Sequence, residues 1–229
     1  SSTTPSLSLL TDRTKPLAGA RTGTGAPIQL VFLDTAGSKT GKLLPTGAAR
    51  DVIDGVEVSC VDAAMPVMLM RASDMGCTGY EEPAALDANR DLMRRIEALR
   101  LEAGRRMGLG DVTDLVIPKP VLLAAPRHDG ALSARYFMPH DCHKALAVTG
   151  GIAIACALVT PGMLAHEIGV PTSLPAMIRI EHPSGHLDVG VEQPDADSPP
   201  NAMAVRTAQR IMEGTLILQT QAPEEAAAA

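Results

Sequence analysis

Between Lys144 and Val159 the chain reads Lys-Ala-Leu-Ala-Val-Thr-Gly-Gly-Ile-Ala-Ile-Ala-Cys-Ala-Leu-Val, with one charge at its start and none after it. A helix of this composition has no polar face to turn toward water, so it must be buried on most of its sides. The run stops at Thr160-Pro161-Gly162, short of the roughly 18 apolar residues that a membrane-crossing helix needs. The rest of the chain therefore has to supply the cover.

Segments with strand patterning are available for that task. Ile28 to Leu33 is a short branched run after the Gly/Thr/Pro string of Gly19 to Pro27, Val56 to Val61 alternates with polar residues, and Val67 to Met70 follows Pro66 as a continuous apolar stretch. Val121 to Ala125 and Ala131 to Phe137 flank an Asp129-Gly130 turn, and Ile178 to Glu181 and Leu187 to Val191 flank His182-Pro183-Ser184-Gly185, which predicts two hairpins. Ala204 to Met212 leads toward a further strand at Thr215 to Leu218. From Asp87 the period changes to 3.6, with Leu92, Ile96, Leu99 and Ala103 on one stripe and the Arg/Glu pattern of Asp91 to Arg106 on a solvated face. The pattern predicts an α+β fold in which a mostly antiparallel sheet wraps around one long central apolar helix.

At 229 residues and 45% hydrophobic, the chain can bury one large core or two small ones. A net charge of -6, aromatic residues at 2% and no Lys/Arg cluster argue against a nucleic-acid binder and favour a small-molecule partner. Cys60, Cys77, Cys142 and Cys156 form no C-x-x-C pair and no apolar signal segment precedes them, which suggests a reducing cytoplasm and no zinc site. The polar residues 1–16, which open without a methionine, read as a flexible or trimmed segment, and 222–229 as a disordered tail.

Candidate chemistry clusters around the apolar helix. Thr149-Gly150-Gly151 would expose main-chain N–H groups to an anion, although the glycines equally suit tight packing against a sheet. His140 and His143 stand just ahead of the helix, where an imidazole can bind a carboxylate or move a proton, or simply occupy a loop; they lack a third partner for a metal. Ser184-Gly185 at a hairpin tip can grip a carboxylate or merely build the turn. Cys60 is either a thiolate base or a small buried hydrophobe, and Met65, Met68, Met70 and Met75 read as core filler.

Several separated segments share one pattern: Leu44-Pro45-Thr46-Gly47, Cys60-Val61-Asp62-Ala63-Ala64-Met65-Pro66-Val67, Arg71-Ala72-Ser73-Asp74 and Thr78-Gly79-Tyr80-Glu81. They continue with Met107-Gly108-Leu109-Gly110-Asp111-Val112, Pro118-Lys119, Met138-Pro139-His140 with His143, Pro161-Gly162, and His182-Pro183-Ser184-Gly185. In this order the segments resemble the 4-oxalomesaconate tautomerases and, more distantly, the 2-methylaconitate and aconitate isomerases, the PrpF-like group, over roughly 17–218, within a domain placed at 17–221.

The resemblance implies a diaminopimelate-epimerase-like half, and a cleft between two such halves in which a base removes a proton from an unsaturated tricarboxylate and an acid returns it elsewhere on the allylic system. It requires no cofactor and no metal. It assigns substrate contacts to Ala64, Met65, His143, Thr149, Gly150, Ser184 and Gly185 and a proton-handling role to His140, and it places the principal lysine and cysteine in a first half whose motifs do not occur here. Where the epimerases carry a second cysteine, this chain has Ala147, with Thr149 following. A homodimer, or pairing with that first half, would complete the cleft. The competing readings are 2-methylaconitate or aconitate as the substrate, and a non-catalytic carboxylate-binding or pairing module.

Overall fold

The computed structural model describes residues 8–9, 15–16, 24–32, 35–193, 195, 198–208 and 214. Its strands are β1 (Ser8–Leu9), β2 (Lys15–Pro16), β3 (Thr24–Phe32), β4 (Asp51–Ile53), β5 (Val56–Ala63), β6 (Met65–Arg71), β7 (Lys119–Ala124), β8 (Leu132–Tyr136), β9 (Ala176–His182), β10 (Gly185–Glu192) and β11 (Asn201–Ala208). The helices are α1 (Pro83–Ala88), α2 (Arg90–Arg106), α3 (Val148–Val159) and α4 (Leu164–Ile168). The strands run β1-β3-β11-β10-β9-β8-β7-β6-β5-β4, with β2 attached to β3. The expected strand at Thr215 to Leu218 and the tail at 222–229 lie outside the described residues, as does most of 1–16 apart from β1 and β2.

Two features correct the expected architecture. The sheet is mixed: β6 pairs parallel with β7 and β8 parallel with β9. Both joints follow crossovers, since the chain leaves β6, builds α1 and α2, and returns as β7, and leaves β8, builds α3 and α4, and returns as β9. The apolar helix is also not long. It has 12 residues, because Lys144 to Ala147 stay outside it: Ala147 is extended (φ -67, ψ 140), and the Ala145 N–H is turned onto His143 Nδ1 at 2.9 Å. The longest helix is α2, with 17 residues.

The two faces of the sheet carry separate cores. On one, Ile152, Ile154 and Leu158 of α3 pack with Val61, Val67, Leu69, Val121, Leu123, Ile178, Ile180, Leu187 and Val189. Each of these three helix side chains contributes about 1.5–3 kcal/mol by leaving water. On the other, Leu92, Ile96, Leu99 and Ala103 of α2 meet Met68, Met70, Leu122 and Phe137, so the stripe read from the sequence is the buried one. The methionines at 68, 70 and 75 are core residues as expected.

One member of the supposedly solvated face of α2 is not solvated. Arg100 is fully buried, pairs with Glu97, and donates to the carbonyls of Val112, Leu115 and Ile117, thereby fixing the loop that leads into β7. On the α3 face of the sheet the segment 35–50 lies between β3 and β4 in the chain and lays Leu43 and Leu44 against the core. It is held by the buried carboxylate of Asp62, which accepts from Ser38 Oγ, Thr40 Oγ1 and the N–H groups of Lys39 and Thr40 at 2.8–2.9 Å.

Candidate functional site

Strand register brings most of the predicted residues to one end of the sheet. Lys119 stands opposite Val67, and Val121 opposite Tyr136, so the start of β6, the start of β7 and the end of β8 share a rim. Because β9 runs parallel to β8, the β9–β10 turn falls at the same rim. Helix α3 begins there too, since Gly150 lies directly beneath the Tyr136 ring.

At the helix start no side chain caps the free N–H groups after Ala147, which leaves main-chain donors and the positive end of the helix dipole at the rim. The glycines themselves answer to packing. A Cβ on Gly150 would lie 2.3 Å from Tyr136 Cε2, and one on Gly151 2.4 Å from Leu187 Cδ2. The packing reading of Gly150 and Gly151 thus holds, and the helix start that this packing brings to the rim is uncapped.

His143 meets Tyr136 edge to face at 6.2 Å between ring centres. Its Nδ1 accepts from the Ala145 N–H, so the neutral ring carries its proton on Nε2. The Ser184 hydroxyl donates to the Lys144 carbonyl, and the Ser184 N–H reaches His182 Nδ1 at 3.2 Å. The hairpin tip, with Ser184 and Gly185 both exposed, is thereby tied to the lead-in of α3.

The turn between β5 and β6 is the strained point of the rim. Ala64 has φ 61, and its N–H donates to the Thr35 carbonyl at 2.7 Å. A non-glycine residue in this region costs roughly 1–2 kcal/mol, and such strain tends to persist where a turn must present the backbone in one particular way. Met65, next along, is half-buried against the α3 core.

His140 is not drawn into this cluster by any hydrogen bond or ring contact; it is exposed on the loop after β8, while His143 three residues on is half-buried. Cys60 faces the α2 core, and burial pushes its thiol up to about 12, so it is no base at neutral pH. Cys142 and Cys156 are likewise held near 12 by burial. Among the described residues no three His, Cys, Asp or Glu side chains gather as metal ligands, and no helix is long and apolar enough to cross a membrane.

Sequence reasoning missed Lys119 as a site residue. It heads β7, is 5% exposed, and its ammonium is held below the usual lysine value by burial, against the pull of Asp141. The available signal was a lysine opening a strand that is otherwise apolar. A cavity of about 570 Å³ lies at the other end of α3 between Leu43, Leu44, Val159, Thr160, Pro161 and the 198–200 segment. Its only ionisable lining residue is Lys42, so the rim, not this cavity, gathers the groups suited to an anion.

Comparison with known proteins gives the chain a family and relatives. Residues 15–219 match the family described as PrpF protein. The chain is 44% identical to a (4E)-oxalomesaconate Delta-isomerase of Novosphingobium sp., over 86% of this chain and 55% of that protein. It is 39% identical to a 4-oxalomesaconate tautomerase of Pseudomonas putida, over 86% of this chain and 54% of that protein. The chain thus spans little more than half the length of either relative. A crystal structure of methylitaconate-delta-isomerase superposes with a TM-score of 0.79 at 27% identity, covering 91% of this chain and 61% of that one. This isomerase fold, with its mixed sheet and short helices, replaces the epimerase-like half with a long central helix expected above.

Proposed function

The chain belongs to the PrpF family, and we propose from that premise that it forms one wall of the cleft of an isomerase that shifts a proton along an unsaturated tricarboxylate. The substrate of this reading is 4-oxalomesaconate, taken from its keto to its enol form in aromatic-acid breakdown, in line with the names of two relatives. The observation that carries it is the convergence, at one rim, of an uncapped helix start, the Ser184-Gly185 hairpin tip, the Nε2 proton of His143 and the strained Ala64-Met65 turn.

The rim offers donors and few acceptors, which suits a polyanion. In this reading the N–H groups at Thr149 and Gly150 hold one carboxylate, and the Ser184 hydroxyl, on exchanging the Lys144 carbonyl for the ligand, holds another beside Gly185. His143 fixes a further oxygen through Nε2, and the backbone at Ala64 and Met65 closes one side. His140 orients the substrate or shuttles a proton from its exposed loop. The principal acid and base come from outside this chain, across the cleft, whether from a preceding half or a partner subunit. The step itself exchanges one C–H for one O–H, with no net oxidation and no cofactor.

The test is conversion of the keto to the enol form of 4-oxalomesaconate by the complete protein, followed by absorbance beside 2-methylaconitate and aconitate. Preferred turnover of the first acid supports the reading; preference for another changes the substrate, and no turnover of any of them overturns it. His140→Ala should lower turnover strongly, and near-normal turnover would remove His140 from the mechanism. The rival, a pairing or carboxylate-binding module without activity, has self-association without turnover as its signature.

A further inference from the structure

We infer that Lys119 presents its ammonium to a carboxylate of the ligand bound at the α3 rim. The inference rests on the tricarboxylate reading above and adds to it a buried cationic contact that the donors already named do not supply.

Placement comes first. Lys119 stands opposite Val67 on β6 and is two residues from Val121, and both of these valines pack in the core against α3. Side chains two apart on a strand share a face, and directly paired residues do so as well. Lys119 therefore rises from the α3 face of the sheet, one step outside the Val121–Tyr136 pair, on the rim that holds Met65, Tyr136 and the start of α3.

Its surroundings leave its charge unused. The side chain donates no hydrogen bond and makes no ion pair among the described residues, although only 5% of the residue is exposed. The Thr35 hydroxyl is the one side-chain polar atom among the described residues that is both sealed from solvent and unpartnered. Lys119 Nζ, equally unpartnered, must therefore reach the outside through the small opening that remains. An ammonium held mostly out of water without a partner is costly to maintain, and such groups recur where a ligand supplies the missing anion.

The neighbouring charges fit the same role. Asp141, on the exposed loop that also carries His140, acts on Lys119 from beyond ion-pair distance, and the buried Arg100 adds a second positive field from beneath. Arg100 is satisfied by Glu97 and three carbonyls. Lys119 is thus a buried cation at this rim still available to a ligand, behind the exposed Lys144 of the α3 lead-in, and a lysine ammonium acts as a compact point charge there.

The test uses tricarballylate, a saturated tricarboxylate that cannot react, titrated calorimetrically into the wild-type chain, Lys119→Met and Lys119→Arg, with melting temperatures measured alongside. The inference expects Lys119→Met to keep or raise the melting temperature, to weaken binding by about 10- to 100-fold as loss of a charge-assisted hydrogen bond should, and to flatten the dependence of affinity on salt. Lys119→Arg should bind within a few-fold of wild type. Equal binding by wild type and Lys119→Met overturns the assignment of Lys119 and leaves the rim reading intact. Absence of binding to the wild type overturns both, and weaker binding by Lys119→Met with an unchanged salt dependence overturns the role assigned to the charge.

Discussion

Gly150→Ala separates the packing role of the α3 start from its polar one. Inside a helix this substitution ordinarily stabilises by up to about 1 kcal/mol. Here the new Cβ would stand 2.3 Å from Tyr136 Cε2, 2.8 Å from Cζ and 3.0 Å from Cδ2. Tyr136 is 1% exposed and has His143 against its edge, so its ring cannot swing aside without opening the core. Overpacking of this kind costs about 1–3 kcal/mol, and a gap this short falls in the upper part of that range. The balance is a net loss of about 1–2 kcal/mol, or a melting temperature lower by roughly 2–8 °C for a chain of this size. Urea titration of Gly150→Ala, Tyr136→Leu and the double variant gives the decisive cycle. The smaller leucine leaves room that the alanine methyl can fill, so the double variant should be more stable than the sum of the singles predicts, by about 0.5–3 kcal/mol. A Gly150→Ala protein as stable as wild type, or strictly additive singles, would refute the reasoning, because intrinsic helix preference would then outweigh the contact with Tyr136.

Three further outcomes follow from buried titratable groups. Burial holds Cys60, Cys142 and Cys156 at about 12 against about 8.5 in an unfolded chain, so their share of stability is complete below that lower value and is lost as pH climbs from there toward 12; denaturation curves through that range should show the decline, and in native protein a thiol reagent should modify half-buried Cys77 before the other three. At Glu181 burial alone would raise the carboxyl, but hydrogen bonds from the Arg127, His128 and Gly130 N–H groups hold it below its ordinary value; its contribution is therefore present above about 4.3 and fades as pH falls, and Glu181→Gln should flatten the acid limb of the stability profile. Asp62→Ala should cost about 2–4 kcal/mol in denaturant unfolding, because it strips the partners from Ser38, Lys39 and Thr40 at once; a loss below about 0.5 kcal/mol would show that water replaces the carboxylate there.

What could be read from the residues was whatever is local. Ile152 to Leu158 allowed no environment but a core, the Asp129-Gly130 and Pro183-Ser184 turns marked their strand pairs, and Leu92, Ile96, Leu99 and Ala103 announced the buried face of α2. The parallel joints β6–β7 and β8–β9 were not legible, because each is set across a helical crossover and leaves no mark within either strand. Arg100 was misread for the same reason: its spacing from Glu97 imitates an ordinary surface pair, and only the distant carbonyls of Val112, Leu115 and Ile117 make it a buried anchor. His140 and His143 show the limit most plainly, since one short segment holds both, yet one faces solvent and the other packs on Tyr136.

Strand β3 pairs with β11, joining Phe32 to Ala202 from nearly opposite ends of the sequence. During synthesis, β3 emerges before β4 to β10 and must wait for all of them before β11 exists. Until then one of its long edges stays unsatisfied, an invitation to foreign strands, and the closing of so wide a loop sets a slow last step. Assembly should therefore zip outward from the short hairpins and close the β3–β11 seam late, which makes that seam a place where an unfinished molecule is exposed to aggregation.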